Sequence, residues 1–225
     1  MRTVSIVDMR SPAKESALPP QVLALKAVLD RRGIELVYFA TGAEACQYLV
    51  EQIPLGAQIM NGSSETIKSI GFDAVLNSGR YDFLRPAIVA MNNTPERLKL
   101  RQLSTTADYI VGGVNAISLT GEILCVDGGG NRVASYAYGG GKVFLVAGVN
   151  KITPNLQAAF ERMRNRAGVE ECRHLGRKTP CAETGVCSTY ECHAPERQCG
   201  KVLIIENEKI DGRMTLVLIG ETLGY

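Results

Sequence analysis

The stretch from Cys172 to Gly200 constrains this chain more than any other. It carries five of the seven cysteines and both histidines of the protein. Four of its thiols, Cys181, Cys187, Cys192 and Cys199, are separated by five, four and six residues. Pro180, Gly185 and Pro195 punctuate the run, and it has neither helical nor alternating apolar periodicity. A long irregular loop needs something to hold it. Four thiolates converging on one metal would close and fold it in a single step. A zinc or iron–sulfur site is therefore the first expectation, although the spacing is neither a pair of CxxC knuckles nor the tight run of bacterial ferredoxins. A disulfide framework is the second. It requires an oxidising compartment, and the opening MRTVSIVDMRSPAKE has no apolar core of signal-peptide length, so the expected location is the cytoplasm. Free buried thiols are the third reading, which suits isolated Cys46 and Cys125 among their apolar neighbours. His174 and His193 are expected to stand beside a metal rather than bind it, since four cysteines suffice.

Composition narrows the function classes. A chain of 225 residues can bury a full core, and 45% apolar with 21% charged residues is ordinary for a globular protein. The formal charge is only +2, from 25 basic and 23 acidic side chains, which gives no electrostatic reason to expect nucleic acid or anionic membrane. No apolar run approaches the roughly 20 residues of a membrane span. Tryptophan is absent and aromatics are 6%, so no platform for stacking bases is evident.

Along the chain the elements alternate. Val4–Val7 is a short strand or an arm. A helix follows Pro19 and Pro20, with Val22, Leu23, Leu25, Val28 and Leu29 close to one face and Gly33 as its stop. Residues 34–40 read as a buried strand, and Thr41 caps a helix that ends near Pro54. Residues 57–62 supply the next strand, and residues 72–85 read as loop. Thr94 and Pro95 open another helix. Residues 109–111, 117–119 and 122–126 read as strands, the last two as a hairpin around Thr120-Gly121. A strand follows at 142–148, then a helix capped by Thr153 with Pro154 in its first position. Two closing strands, KVLIIENE and MTLVLIGETLGY, are expected to extend the sheet in an antiparallel sense. Helix and strand in alternation argue for an α/β domain with a largely parallel sheet. The expected organisation is one domain over residues 1–225, with an N-terminal arm at 1–20 and a cysteine-rich loop at 172–200.

Two turns carry candidate chemistry. After the 57–62 strand, Gly62 turns the chain, Ser63 or Ser64 caps a helix, and free N–H groups at that helix start suit an anion; an ordinary capped helix is the alternative. Glu65 in the first turn is explained by the helix dipole alone. The second is the run from Asp127 through Gly128–Gly130 to Asn131 and Arg132. Three consecutive glycines let the backbone approach a ligand, and Arg132 offers a fork of donors to a carboxylate or phosphate. The run is neither a GxGxxG fingerprint nor a P-loop, and a hairpin tip is the alternative.

Taken together, GSSET (62–66), VNAIS (114–118), DGGGNRVA (127–134), KVFLVAGVNKITPNLQAAFERMRN, the loop TPCAETGVC with its later cysteines, and the closing VLIGETLGY resemble the lactate-utilisation (LUD) domain family. The resemblance implies a Rossmann-like, mostly parallel sheet flanked by helices, related to the ribose-phosphate isomerase and CoA-transferase-like fold. It implies a ligand site at Gly62, Ser64, Thr66, Asn115, Asp127, Gly128, Gly130, Asn131 and Arg132, and a metal site at Cys181, Cys187, Cys192 and Cys199. Two departures stand out: four residues part Cys187 from Cys192 where the family resembles CxxC, and the first motif reads Gly-Ser-Ser rather than Gly-Gly-Ser.

The functional expectation is a subunit or enzyme of lactate (2-hydroxy acid) oxidation, an oxidoreductase component that binds a small anionic metabolite and carries an iron–sulfur cluster. An iron–sulfur redox protein is its expected partner, and self-association is left open. The alternative is a non-catalytic, metabolite-binding regulatory module whose cysteines hold structural zinc. An isomerase or acyl transferase rests on fold analogy alone, with Glu65 as its nearest nucleophile. No general base is obvious: both histidines sit in the cysteine loop, and Asp127 is the only other candidate.

Overall fold

The computed structural model describes residues 18–225. The Val4–Val7 run and nearly all of the expected arm lie outside the described residues.

The first half of the described chain alternates as expected. Helix α1 (Pro20–Asp30) starts at a proline, buries Val22, Leu25 and Leu29, and is followed by Gly33 at positive φ. Strand β1 (Glu35–Phe39) leads to α2 (Gly42–Gln52), which Thr41 and Glu44 close with a reciprocal capping box. Strand β2 (Gln58–Met60) precedes α3 (Glu65–Ser69), capped by Ser64. Residues 72–85, expected as loop, hold three short elements: α4 (Phe72–Leu76), β3 (Asp82–Phe83) and the start of α5 (Leu84–Ala90). Five-residue helices are too short to display a period, and only the buried pair Phe72 and Leu76, four apart, marks one. Helix α6 (Pro95–Leu103) is capped by Thr94 and leads to β4 (Tyr109–Gly113).

In the second half, β5 (Ala116–Ser118) and β6 (Ile123–Asp127) form the expected antiparallel hairpin. Helix α7 (Asn131–Ala134) continues into a π turn, and β7 (Lys142–Gly148) follows. Thr153 belongs to a short strand, β8 (Ile152–Thr153), and Asn155 is the cap of α8 (Leu156–Arg162). The expected Thr153 cap is thus displaced by two residues: the Thr153 hydroxyl is committed to the Ile117 carbonyl at 3.0 Å, while the Asn155 side chain accepts from Ala158 N–H at 2.9 Å. The helix runs on through a π turn (Met163–Ala167) into α9 (Gly168–His174). Cys172 is therefore helical rather than part of the loop. A further short helix, α10 (Pro180–Thr184), stands inside the cysteine run, stopped by Gly185. Strands β9 (Lys201–Ile205) and β10 (Met214–Ile219) close the chain.

Six strands form a fully parallel sheet in the order β1-β10-β7-β4-β2-β3. A second sheet, β8-β5-β6-β9, is mixed. The two closing strands thus part company. β9 joins β6 antiparallel, as expected, but β10 inserts parallel between β1 and β7. The reason is in the side chains: all six residues of β10 are buried, the mark of a strand covered on both faces, whereas β9 is largely exposed.

Alternation along the central strands splits the interior in two. Val143, Leu145 and Ala147 of β7 with Met214, Leu216 and Leu218 of β10 face α1 and the second sheet. Phe144 and Val146 with Val217 and Ile219 face α2, α3 and α4. The far face of the second sheet, Ala116, Leu124 and Val126, packs on Ala159 and Met163 of the α8 segment. The carboxyl ends of β2, β4, β7 and β10 therefore converge at one edge, beside the end of β6.

Candidate functional site

That edge encloses a cavity of about 200 Å³, small beside the ~300–1,000 Å³ typical of pockets for drug-sized ligands. Its walls come from the segments that leave β2, β4, β6, β7 and β10. Open α/β sheets bind ligands at this edge because helix starts and free loop N–H groups collect there.

Of the residues expected at the site, Ser64, Thr66, Asn115, Asp127, Gly128 and Arg132 line the cavity. Gly62, Gly130 and Asn131 stand behind it. A side chain at Gly62 would begin 2.5 Å from Cδ of Arg132, and one at Gly130 would begin 2.6 Å from Cδ of Lys201. Asn131 accepts a hydrogen bond from Arg101 at 2.9 Å. Asn115 holds the hairpin in place, its side-chain oxygen accepting from Val126 N–H at 2.8 Å. Arg132 is tied to its surroundings: it donates to the carbonyls of Val126 at 2.6 Å and Gly113 at 3.4 Å. Asp127, the carboxylate considered as a base, accepts from the Arg132 backbone N–H at 2.9 Å and so also holds the glycine turn. Glu65, the nucleophile of the fold-analogy reading, is paired with Lys68 at 2.7 Å and lies 3.5 Å from Nε2 of His174. His193 is exposed on the cysteine loop.

The residue that sequence reasoning missed is Lys151. It sits in the turn after β7, on the middle of the sheet's edge, and is 3% exposed. Its Nζ donates to Thr66 Oγ1 at 2.9 Å and to the Val114 carbonyl at 3.0 Å. Among the described residues it has no carboxylate partner. Burial, and then Arg162 and Arg132, push its ammonium down to about 7. Two glycines leave room beside it. A side chain at Gly113 would begin 2.8 Å from Ser64 Oγ and 3.9 Å from the Lys151 amine. One at Gly224, where φ is +59°, would begin 2.6 Å from Thr66 Oγ1 and 3.5 Å from the amine. The only sequence signal was a lysine without nearby acids between a central strand and a helix, which is also how a surface lysine reads.

The remaining charges of the wall are mostly accounted for. Glu171 accepts from the Tyr225 hydroxyl, whose pKa is pushed up by burial and then by that carboxylate. Arg101, like Lys151, has only a neutral partner among the described residues. The cavity therefore holds one cation, Arg101, and one amine poised between charged and neutral, Lys151, neither with an acid partner among the described residues.

The cysteine loop reaches the same place, since Cys199 and Gln198 line the cavity. All seven cysteines are free. Cys181 is buried against Cys172 and Val169. Cys192 is raised by burial and then by the nearness of Cys199, Cys181 and Cys187, so the four thiols share one neighbourhood. Arg164 donates to Cys199 Sγ at 3.1 Å. Thiolate is the donor common to zinc and iron–sulfur sites, and in donor chemistry this set fits either. Among the described residues, no three His, Cys, Asp or Glu side chains are drawn into a ligating cluster.

A parallel α/β sheet with a polar cavity at its carboxyl edge defines the class. The chain belongs to the LUD domain family, whose model matches residues 23–219. Among solved structures it is similar to a DUF162 family protein from Deinococcus radiodurans, with a TM-score of 0.51 and 11% identity over 93% of this chain and 100% of that one. At that identity the likeness concerns the fold. No curated protein matches the chain. Among the described residues no helix is long and apolar enough to cross a membrane.

Proposed function

We propose that this LUD-domain protein binds a small carboxylate of the 2-hydroxy or 2-oxo acid class, as a component of lactate utilisation. The observation that carries this reading is the pairing of Arg101 and Lys151, neither with a carboxylate partner among the described residues, on a cavity sized for a few carbon atoms. A carboxylate would give Arg101 the anionic partner it lacks. Lys151 would meet the oxygen on the neighbouring carbon and take up or return its proton. A group poised near neutrality is suited to both tasks, which supplies the general base that the histidines and Asp127 do not.

Oxidation of a 2-hydroxy acid to a 2-oxo acid releases two electrons and two protons. Neutral Lys151 would take the hydroxyl's proton, and the proton from the carbon would pass to water. Cys181, Cys187, Cys192 and Cys199 would hold an iron–sulfur cluster, which would supply a one-electron acceptor and pass the electrons one at a time to an iron–sulfur partner protein. Cys199, which lines the cavity, links the two sites.

The test is calorimetric binding of L-lactate and pyruvate to the anaerobically purified protein, alongside determination of iron, sulfide and zinc. The reading expects both acids to bind and the Lys151→Met and Arg101→Met variants to lose at least tenfold in affinity. Iron and sulfide lost on Cys181→Ser and Cys187→Ser would support the redox role. One firmly held zinc would replace it with a structural loop beside a binding pocket. No binding of either acid would refute the carboxylate site.

A further inference from the structure

We propose that the Lys151 amine forms an imine with the carbonyl carbon of a 2-oxo acid seated in this cavity. The inference rests on the carboxylate reading above and adds a covalent step to it.

The hydrogen-bond geometry leaves the amine in a nucleophile's arrangement. A neutral primary amine has two N–H bonds and one lone pair. Both hydrogens are engaged: one by the Val114 carbonyl at 3.0 Å, one by Thr66 Oγ1 at 2.9 Å, whose own hydroxyl turns toward the Leu223 carbonyl. The third position around nitrogen has no protein acceptor among the described residues. In the neutral amine it is left to the lone pair.

The space around the amine is also kept open. Side chains at Gly113 and Gly224 would begin 3.9 and 3.5 Å from Nζ, within van der Waals reach, so the two glycines clear the approach of a substrate carbon. Neither Ser64 nor Thr66 competes as a base, since both hydroxyls are engaged with the α3 turn and the chain end. Burial, ahead of Arg162 and Arg132, pushes the Lys151 ammonium down to about 7, which favours the free amine relative to an exposed lysine.

The step balances without a redox partner. The nitrogen lone pair forms the C–N bond while the carbonyl π electrons move to oxygen. The two protons leaving nitrogen pass to that oxygen, directly or through water, and it departs as water. A 2-hydroxy acid has no such carbon, so the step separates oxidised from reduced ligand.

Pyruvate, then L-lactate, would be incubated with the wild-type protein at pH 7.5 and reduced with cyanoborohydride, and the tryptic peptides mapped by mass. The expected result is a reduced pyruvate adduct on Lys151, absent with lactate, and at least tenfold above any exposed lysine. Gly224→Ala, which narrows the approach, should lower its yield severalfold. Calorimetric binding of both acids is measured on the same samples. Pyruvate binding without an adduct on Lys151, or an adduct shared evenly among exposed lysines, would overturn the imine and leave the carboxylate site standing. Binding of neither acid would remove both. Because the wild-type peptide map locates the modified residue, the result does not depend on whether Lys151→Met folds.

Discussion

Lys151 and Arg213 show two ways of placing a cation in the interior, with opposite consequences. Arg213 is 6% exposed but fully partnered: it is ion-paired with Glu208 and donates to the carbonyls of Gly140, Ser135 and Tyr136. Removing it strands a part-buried carboxylate and three carbonyls. Arg213→Met should therefore cost about 3–5 kcal/mol, read as a lowered urea midpoint. Lys151 has no counter-charge among the described residues, and its effect on stability depends on pH. Its folded pKa lies below its unfolded value, so between about 7 and the ordinary lysine range the unfolded chain binds the extra proton. Stability then rises with pH across that window, and the destabilising contribution is complete below it. The difference in unfolding free energy between wild type and Lys151→Met should shift toward wild type between pH 7 and 9. A difference that stays flat would mean the lysine is ordinarily solvated. None of this was legible in the sequence, where Arg132 drew attention as the anion ligand. Its guanidinium turned out to bind the Val126 and Gly113 carbonyls. Residue type shows what a side chain can donate, whereas burial and prior partners decide what it has left to offer.

The elements themselves were largely readable, because each carries its own punctuation. Thr41 with Glu44, Ser64, and Thr94 with Pro95 mark helix starts where the structure has them. Thr41→Ala should cost about 1 kcal/mol by releasing the Glu44 N–H of α2, measured as a lower thermal midpoint with the helix content retained. Two signals misled. Thr153-Pro154 has the form of a helix start, but Thr153 pairs in a short strand beside β5, so the cap passes to Asn155. The cysteine run looked irregular because it joins the last turn of one helix, which holds Cys172, to the brief helix that holds Cys181. Their close packing with Val169 is a tertiary fact, which no spacing rule anticipates.

At the scale of the whole molecule, the alternation of helix and strand correctly announced a parallel sheet, and the Gly-Ser and Asp-Gly-Gly-Gly turns correctly fell at strand ends. What remained hidden was the path of the last strand. β10 runs parallel between β1 and β7, so the chain end returns to the cavity and places Gly224 and Tyr225 in its wall. An antiparallel extension would have carried that segment away. Long-range order of this kind depends on which strand has two buried faces, and the six apolar or buried residues of Met214–Ile219 are the only local sign. The same arrangement brings Lys151, Thr66, Gly113 and Gly224 together from four separate segments. The site is therefore a property of the sheet's carboxyl edge rather than of any one motif.

The most direct measurement of the central claim is a pH titration of the protein's lysine amines, carbon-13 labelled at the ε position and followed by NMR, with and without pyruvate. One resonance, absent from Lys151→Met, should titrate near pH 7 in the free protein and move or split when pyruvate is added, while the others titrate in the ordinary lysine range and stay in place. If every lysine titrates in that ordinary range and none responds to pyruvate, Lys151 is not the poised group of a carboxylate site, and the account of this cavity is wrong.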